Sequence, residues 1–112
     1  MYQIYLYKTS SGRRIIADFI KSLEEVDRDR IRTGIRILKE HGLTLLKTKW
    51  MKKIYHSPDI YELRITGRNE VRLLLIRYKI SFFLIIHAFV KKTQKIPKQE
   101  LTLAIKRTKE FV

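Results

Sequence analysis

Three groups of side chains in this sequence could do chemistry, and all three are built from cations. The first is a pair of arginines. Residues 60–66 and 70–79 read as strands on either side of Gly67-Arg68-Asn69, a turn sequence. With a three-residue loop, Thr66 faces Glu70 and Arg64 faces Arg72 on one side of the sheet. Like charges directly opposite each other are destabilising unless an anion offsets them. A bound phosphate would serve, and so would an internal pairing with Glu62 or Glu70. A tight turn at Lys79-Ile80, pairing Tyr78 with Ser81, carries His87 to a position opposite Arg72. His87 is then either part of the patch or a core histidine satisfied from within.

The second group is Lys91, Lys92, Lys95 and Lys98, within the run KKTQKIPK directly after an apolar strand. A loop there offers ammonium groups and the amides of a helix start to a phosphate. The third is Lys47, Lys49, Lys52 and Lys53 around Trp50, with Tyr55 close by. Cations interleaved with aromatics suit single-stranded nucleic acid, which offers phosphates and bare base faces. Trp50 reads equally as a core aromatic. Other chemistries are weakly represented. The acids are scattered, no HxxxH or HExxH spacing occurs, and cysteine is absent, so a metal site is not expected. There is no nucleophile elbow and no Gly-rich phosphate loop. Nothing points to a cofactor.

These groups need elements to hold them. Residues 2–7 read as a strand closed by Ser10-Ser11-Gly12. Ile15, Ile16, Phe19, Ile20 and Leu23 have helical spacing over 13–23, with Ser10 or Ser11 as N-cap. A second helix over 27–41 carries Ile31, Ile35 and Leu38, and Gly42 ends it. Residues 42–59 read as irregular and basic, with a turn at Ser57-Pro58-Asp59. Strands follow at 60–66, 70–79 and 81–90, the last two apolar enough to be inner strands. Pro97 opens a helix to about 109. The expected order is β-α-α-β-β-β-α: a single α+β domain over 1–112, an antiparallel sheet with helices packed on one face.

The charge supports a polyanionic partner. The 112-residue chain carries a net +14 and a pI near 10.3. Residues 1–40 hold nine basic and six acidic side chains, whereas 41–112 hold sixteen and five. The excess therefore lies where the candidate groups lie, and it exceeds what solubility needs. Nucleic acid or a ribonucleoprotein fits it best. The absence of cysteine excludes a disulfide scaffold. The N-terminus lacks a signal peptide's apolar stretch, and the longest apolar run, 80–90, is about half a membrane span. A cytoplasmic location, away from membranes, is expected.

Tyr61-Glu62-Leu63-Arg64, then Arg72-Leu73-Leu74-Leu75, then HAFVKKTQKIP over 87–97 resemble the RelE/HigB superfamily of toxins, most closely its phage-derived, HigB-like branch. The resemblance covers nearly the whole chain and implies a RelE-like fold, microbial-ribonuclease in type. It also implies the toxin half of a type II toxin–antitoxin module, acting on messenger RNA in the ribosomal A site as a metal-independent endoribonuclease. A HigA-like antitoxin with a helix-turn-helix domain would silence it. Arg64, Arg72 and Lys92 fall at or near positions where such toxins carry catalytic basic residues, with Lys91 and Lys95 as phosphate contacts. Many relatives use a C-terminal Tyr, or His and Asp, for part of the proton transfer, yet no Tyr follows Tyr78 here. His56, His87 and a lysine of depressed pKa remain candidates. A non-catalytic RNA- or ribosome-binding protein and a ParE-like gyrase inhibitor are the alternatives.

Overall fold

The computed structural model describes residues 1–111. Its elements are β1 (Gln3–Leu6), α1 (Ile15–Ser22), α2 (Glu25–His41), a 3₁₀ turn (Gly42–Lys47), β2 (Met51–Tyr55), β3 (Ile60–Thr66), β4 (Glu70–Tyr78), β5 (Phe82–Val90) and α3 (Lys98–Thr108). The expected α+β class holds. The expected order lacks one strand, β2, in the stretch read as irregular. β2 pairs with β3 at one edge of a five-stranded sheet ordered β1-β5-β4-β3-β2. Its exposed Lys52 and Lys53 are what a sheet edge uses to discourage further pairing, and they hid the strand pattern.

The sheet is mixed rather than antiparallel. β2 to β5 alternate in direction, but β1 runs parallel to β5, Gln3 beside Phe82 and Leu6 beside Ile85. Hairpin turns force neighbours to be antiparallel. β1 has no such turn, because two helices separate it from the rest of the sheet.

The helices divide between the two faces, which corrects the one-face expectation. Gly34 of α2 lies over Leu63 and Ile65, so closely that a Cβ there would overlap Ile65. Glu100 and Arg107 of α3 bond to His87, whose row in the ladder is Glu62, Leu74 and His87, the opposite face. α2 ends where Gly42 adopts φ +56°, a backbone that favours glycine. α1 has no serine cap; the Thr9 hydroxyl instead accepts from the Arg13 amide at 3.0 Å. No described helix is long and apolar enough to cross a membrane.

β4 and β5 are buried at nearly every position, as inner strands should be. The polar exceptions within the strands are Glu62, Arg72 and His87, and pairing puts all three on the α3 face. A second buried acid, Asp27, fastens the β3–β4 hairpin to the start of α2. Its carboxylate accepts from the amides of Arg68 (2.8 Å) and Asn69 (3.1 Å) and from Asn69 Nδ2 (2.8 Å). Those bonds, the Asn69 side chain foremost, hold its pKa below the usual value against the opposing effect of burial.

Candidate functional site

The hairpin register is as the turn predicts: Thr66 opposite Glu70 and Arg64 opposite Arg72. What lets two guanidiniums face each other is Glu62, almost wholly buried between them. Arg64 Nε donates to Glu62 Oε1 at 2.9 Å, and Arg72 Nε stands 3.6 Å from Glu62 Oε2. Those last two atoms have no hydrogen-bond partner among the described residues. Arg72 is further held by Glu70 Oε1 (3.2 Å) and the Val71 carbonyl (3.1 Å). Its side chain is only 10% exposed, against 36% for Arg64. Arg72 is thus a buried cation, not the exposed sheet residue its position in a hairpin suggests. Arg64 commits only its Nε, and among the described residues neither Nη has a protein partner.

The two arginines form one wall of a cleft of about 530 Å³, completed by Arg30, Lys49, Trp50, Ile65, Thr66 and Glu70. Four cations and one carboxylate line it, and Glu62 lies behind. Trp50 is pinned there by backbone bonds: its carbonyl accepts from the Arg64 amide (2.8 Å) and its own amide donates to Thr48 Oγ1 (3.0 Å). Arg30 is an exposed residue of α2 at the border of its packed face, three residues after buried Asp27 and four before buried Gly34, with its Cγ beside Gly67 of the hairpin. Nothing in its helical spacing separates it from a solvated charge, so the sequence gives no signal for it.

His87 is not opposite Arg72. The β4–β5 loop has three residues, with Tyr78 opposite Phe82, and a bulge at Ile86 slips the register once more. The two one-residue shifts add, so His87 keeps its face but sits opposite Leu74, while Phe89 takes the place beside Arg72. Both ring nitrogens are occupied. Arg107 Nη1 donates to Nδ1 (3.0 Å) and, at 2.9 Å, to the Ile86 carbonyl that the bulge leaves out of the ladder. A guanidinium only donates, so the proton is on Nε2, which donates to Glu100 (3.0 Å). Burial lowers the His87 pKa, the bond and charge of Glu100 oppose it, and the charge of Arg107 adds to the lowering. The ring is therefore neutral at pH 7 and ties α3 to the sheet.

The other sequence candidates fall in three places. Lys91 donates its amide to the Glu70 carbonyl (2.7 Å), so the loop with Lys92 and Lys95 starts beside the cleft, and both of those lysines are exposed. Lys98 is exposed at the start of α3, and exposed Lys52 pairs with Glu62 across the ladder. Lys53 turns instead to Asp59 (3.0 Å), which also holds His56 Nδ1 (2.9 Å). That cluster is at the far end of β3, four residues or roughly 13 Å of strand from Arg64. The structure therefore gathers Arg64, Arg72, Lys49 and Trp50, sets the 91–95 loop beside them, and keeps His56 and Lys53 apart.

Such a cleft can hold a phosphate on cations and place an aromatic ring next to it. Among the described residues no three His, Asp or Glu side chains gather at one point. A family model described as "Phage derived protein Gp49-like (DUF891)" matches residues 18–109, which takes in every element from α2 to α3. No curated protein matches the chain.

Proposed function

Because the chain belongs to the Gp49-like family of phage-derived proteins, a toxin family of toxin–antitoxin systems related to the RelE type, we propose that it is a HigB-like endoribonuclease that cuts messenger RNA in the ribosomal A site. The observation that carries this reading is the Arg64–Arg72 pair anchored on buried Glu62 in a cationic cleft. In this reading residues 1–112 act as one domain in the cytoplasm, and the antitoxin partner is a HigA-like helix-turn-helix protein.

The chemistry needs no metal. The RNA 2′-OH gives up its proton, its oxygen attacks the neighbouring phosphorus, and the P–O5′ bond breaks as the 5′-oxygen gains a proton. The products are a 2′,3′-cyclic phosphate and a 5′-OH. Negative charge builds on the non-bridging oxygens in between, and fixed donors aimed there lower the barrier. Arg64 supplies its Nη groups to those oxygens. Arg72, immobilised by Glu62, Glu70 and Val71, adds a fixed positive field. Glu70 is the carboxylate lining the cleft and accepts the 2′-OH proton. Lys92, on the loop that starts beside Glu70, returns a proton to the leaving oxygen. Lys91, Lys95 and Lys98 hold flanking phosphates. His87, with both nitrogens engaged, positions α3 rather than moving protons.

Induced expression should stop growth and translation, and co-expressed antitoxin should restore both. Arg64→Ala should relieve the arrest at equal soluble level, with cleavage falling about 30- to 1000-fold, the scale of one lost oxyanion donor. Arrest that survives Arg64→Ala with messenger RNA intact would indicate a gyrase-directed or purely binding poison instead.

A further inference from the structure

One side of the cleft is aromatic, and its construction is specific. The Trp50 ring packs toward Gly34 of α2: a Cβ added at Gly34 would lie 3.4 Å from Trp50 Cζ3 and would overlap Ile65. A helix position without a side chain lets the indole tuck in beside it, and the two hydrogen bonds of the Trp50 main chain fix the backbone from which the ring projects. The ring is still partly exposed and lines the cleft. Trp50 immediately precedes β2 and its carbonyl accepts from the Arg64 amide at 2.8 Å, so the main chains of the two residues are neighbours, and the side chains of both line the same cleft. A single nucleotide offers a base to the one and a phosphate to the other. The cleft volume, about 530 Å³, is within the range of roughly 300–1,000 Å³ typical of small-ligand sites. Arg30 lines the same cleft as the sheet arginines, exposed and without an ion-pair partner among the described residues.

We propose that Trp50 is a stacking platform for one unpaired nucleobase of the RNA, next to the phosphate that Arg64 and Arg72 hold, and that Arg30 grips an adjoining phosphate. This deepens the RNA-cleavage reading and rests on it. The ring is pre-set by Gly34 and the β2–β3 ladder, so little ordering is needed when the base arrives. Stacking tolerates any base, because every base has a π-face. The platform therefore contributes affinity and register along the strand, and base identity contributes little.

Trp50 is the only tryptophan in the chain, so its fluorescence reports on this cleft alone. The probe is a 2′-O-methyl RNA hexamer, which cannot be cut because the attacking hydroxyl is blocked. Its control is an abasic hexamer of equal charge. The base-bearing hexamer should quench Trp50 and bind roughly 5- to 150-fold more tightly than the abasic one. Trp50→Leu should bind both with the abasic affinity and an unchanged salt slope. Trp50→Phe, which keeps a ring against Gly34, should retain part of the difference if the leucine variant fails to fold. Arg30→Gln should lower the log–log salt slope by about 0.7, the value of one single-strand phosphate contact, and leave the quench in place. Equal affinity for both hexamers with no quench would overturn the platform, even for a protein that cuts RNA. Quenching by a protein that neither cuts RNA nor arrests growth would retain the platform and overturn the nuclease reading.

Discussion

Glu62 decides whether the paired arginines are a built site, and its replacement has a calculable consequence. The carboxylate is 2% exposed, Arg72 is 10% exposed, and their atoms stand 3.6 Å apart. Taking one partner from a buried ion pair leaves an uncompensated charge and costs roughly 3–5 kcal/mol, whereas replacing both with apolar side chains of similar size is often neutral or stabilising. Glu70 still reaches Arg72 after the loss of Glu62, but its side chain is 44% exposed and screened by water, so it offsets little. Glu62→Leu should therefore destabilise by about 3 kcal/mol, at the low end of that range. For a domain of this size that is a fall in Tm of roughly 10–20 °C. Glu62→Leu/Arg72→Met should recover most of the loss. Urea unfolding followed by Trp50 fluorescence and far-UV circular dichroism measures both. The double variant should be as stable as the parent within about 1 kcal/mol and catalytically dead. If Glu62→Leu costs less than about 0.5 kcal/mol, the arginines are not held by this carboxylate and the proposed anchoring is wrong.

Two more outcomes follow from buried groups elsewhere. Asp27→Ala should cost roughly 2–4 kcal/mol in urea unfolding, because it frees the two amides of the hairpin that carries Arg64 and Arg72. The lowered pKa of Asp27 means its stabilisation is full above about pH 4 and is lost as pH falls through its folded value, so Asp27→Asn should flatten the acid limb of the stability curve. His87 acts higher on the pH scale. With its folded pKa below 6.5, stability should decline as pH drops from about 6.5 toward that lower value, and His87→Gln should remove this part of the slope. A stability curve flat between pH 6.5 and 5 in the parent protein would contradict the buried neutral imidazole.

The sequence made some of this legible and not the rest, for physical reasons. The facing of Arg64 and Arg72 was readable because Gly67-Arg68-Asn69 fixes the loop length, and loop length fixes register. The position of His87 was not, because a bulge at Ile86 leaves no mark in an unbroken apolar run, and neither does the third loop residue. The lysines of β2 announced a charged surface and concealed an edge strand. The direction of β1 depends on a crossover that periodicity does not encode. Glu62 was visible only as a possible partner of Arg64, since burial of a strand carboxylate depends on both arginines closing over it. Arg30 and Asp27 meet the hairpin from more than thirty residues away in the chain, so only the tertiary structure shows what they touch.

The central claim is that cations and the RNA's own 2′-OH make the cut. The most direct measurement is the chemistry of the ends released when purified, metal-stripped protein acts on messenger RNA with translating ribosomes, at the Mg²⁺ the ribosomes themselves need. The account predicts a 5′-OH on one fragment and a 2′,3′-cyclic or 3′-phosphate on the other, with both lost in Arg64→Ala. Fragments carrying a 5′-phosphate and a 3′-OH would show that water, not the 2′-OH, is the nucleophile, and would contradict it.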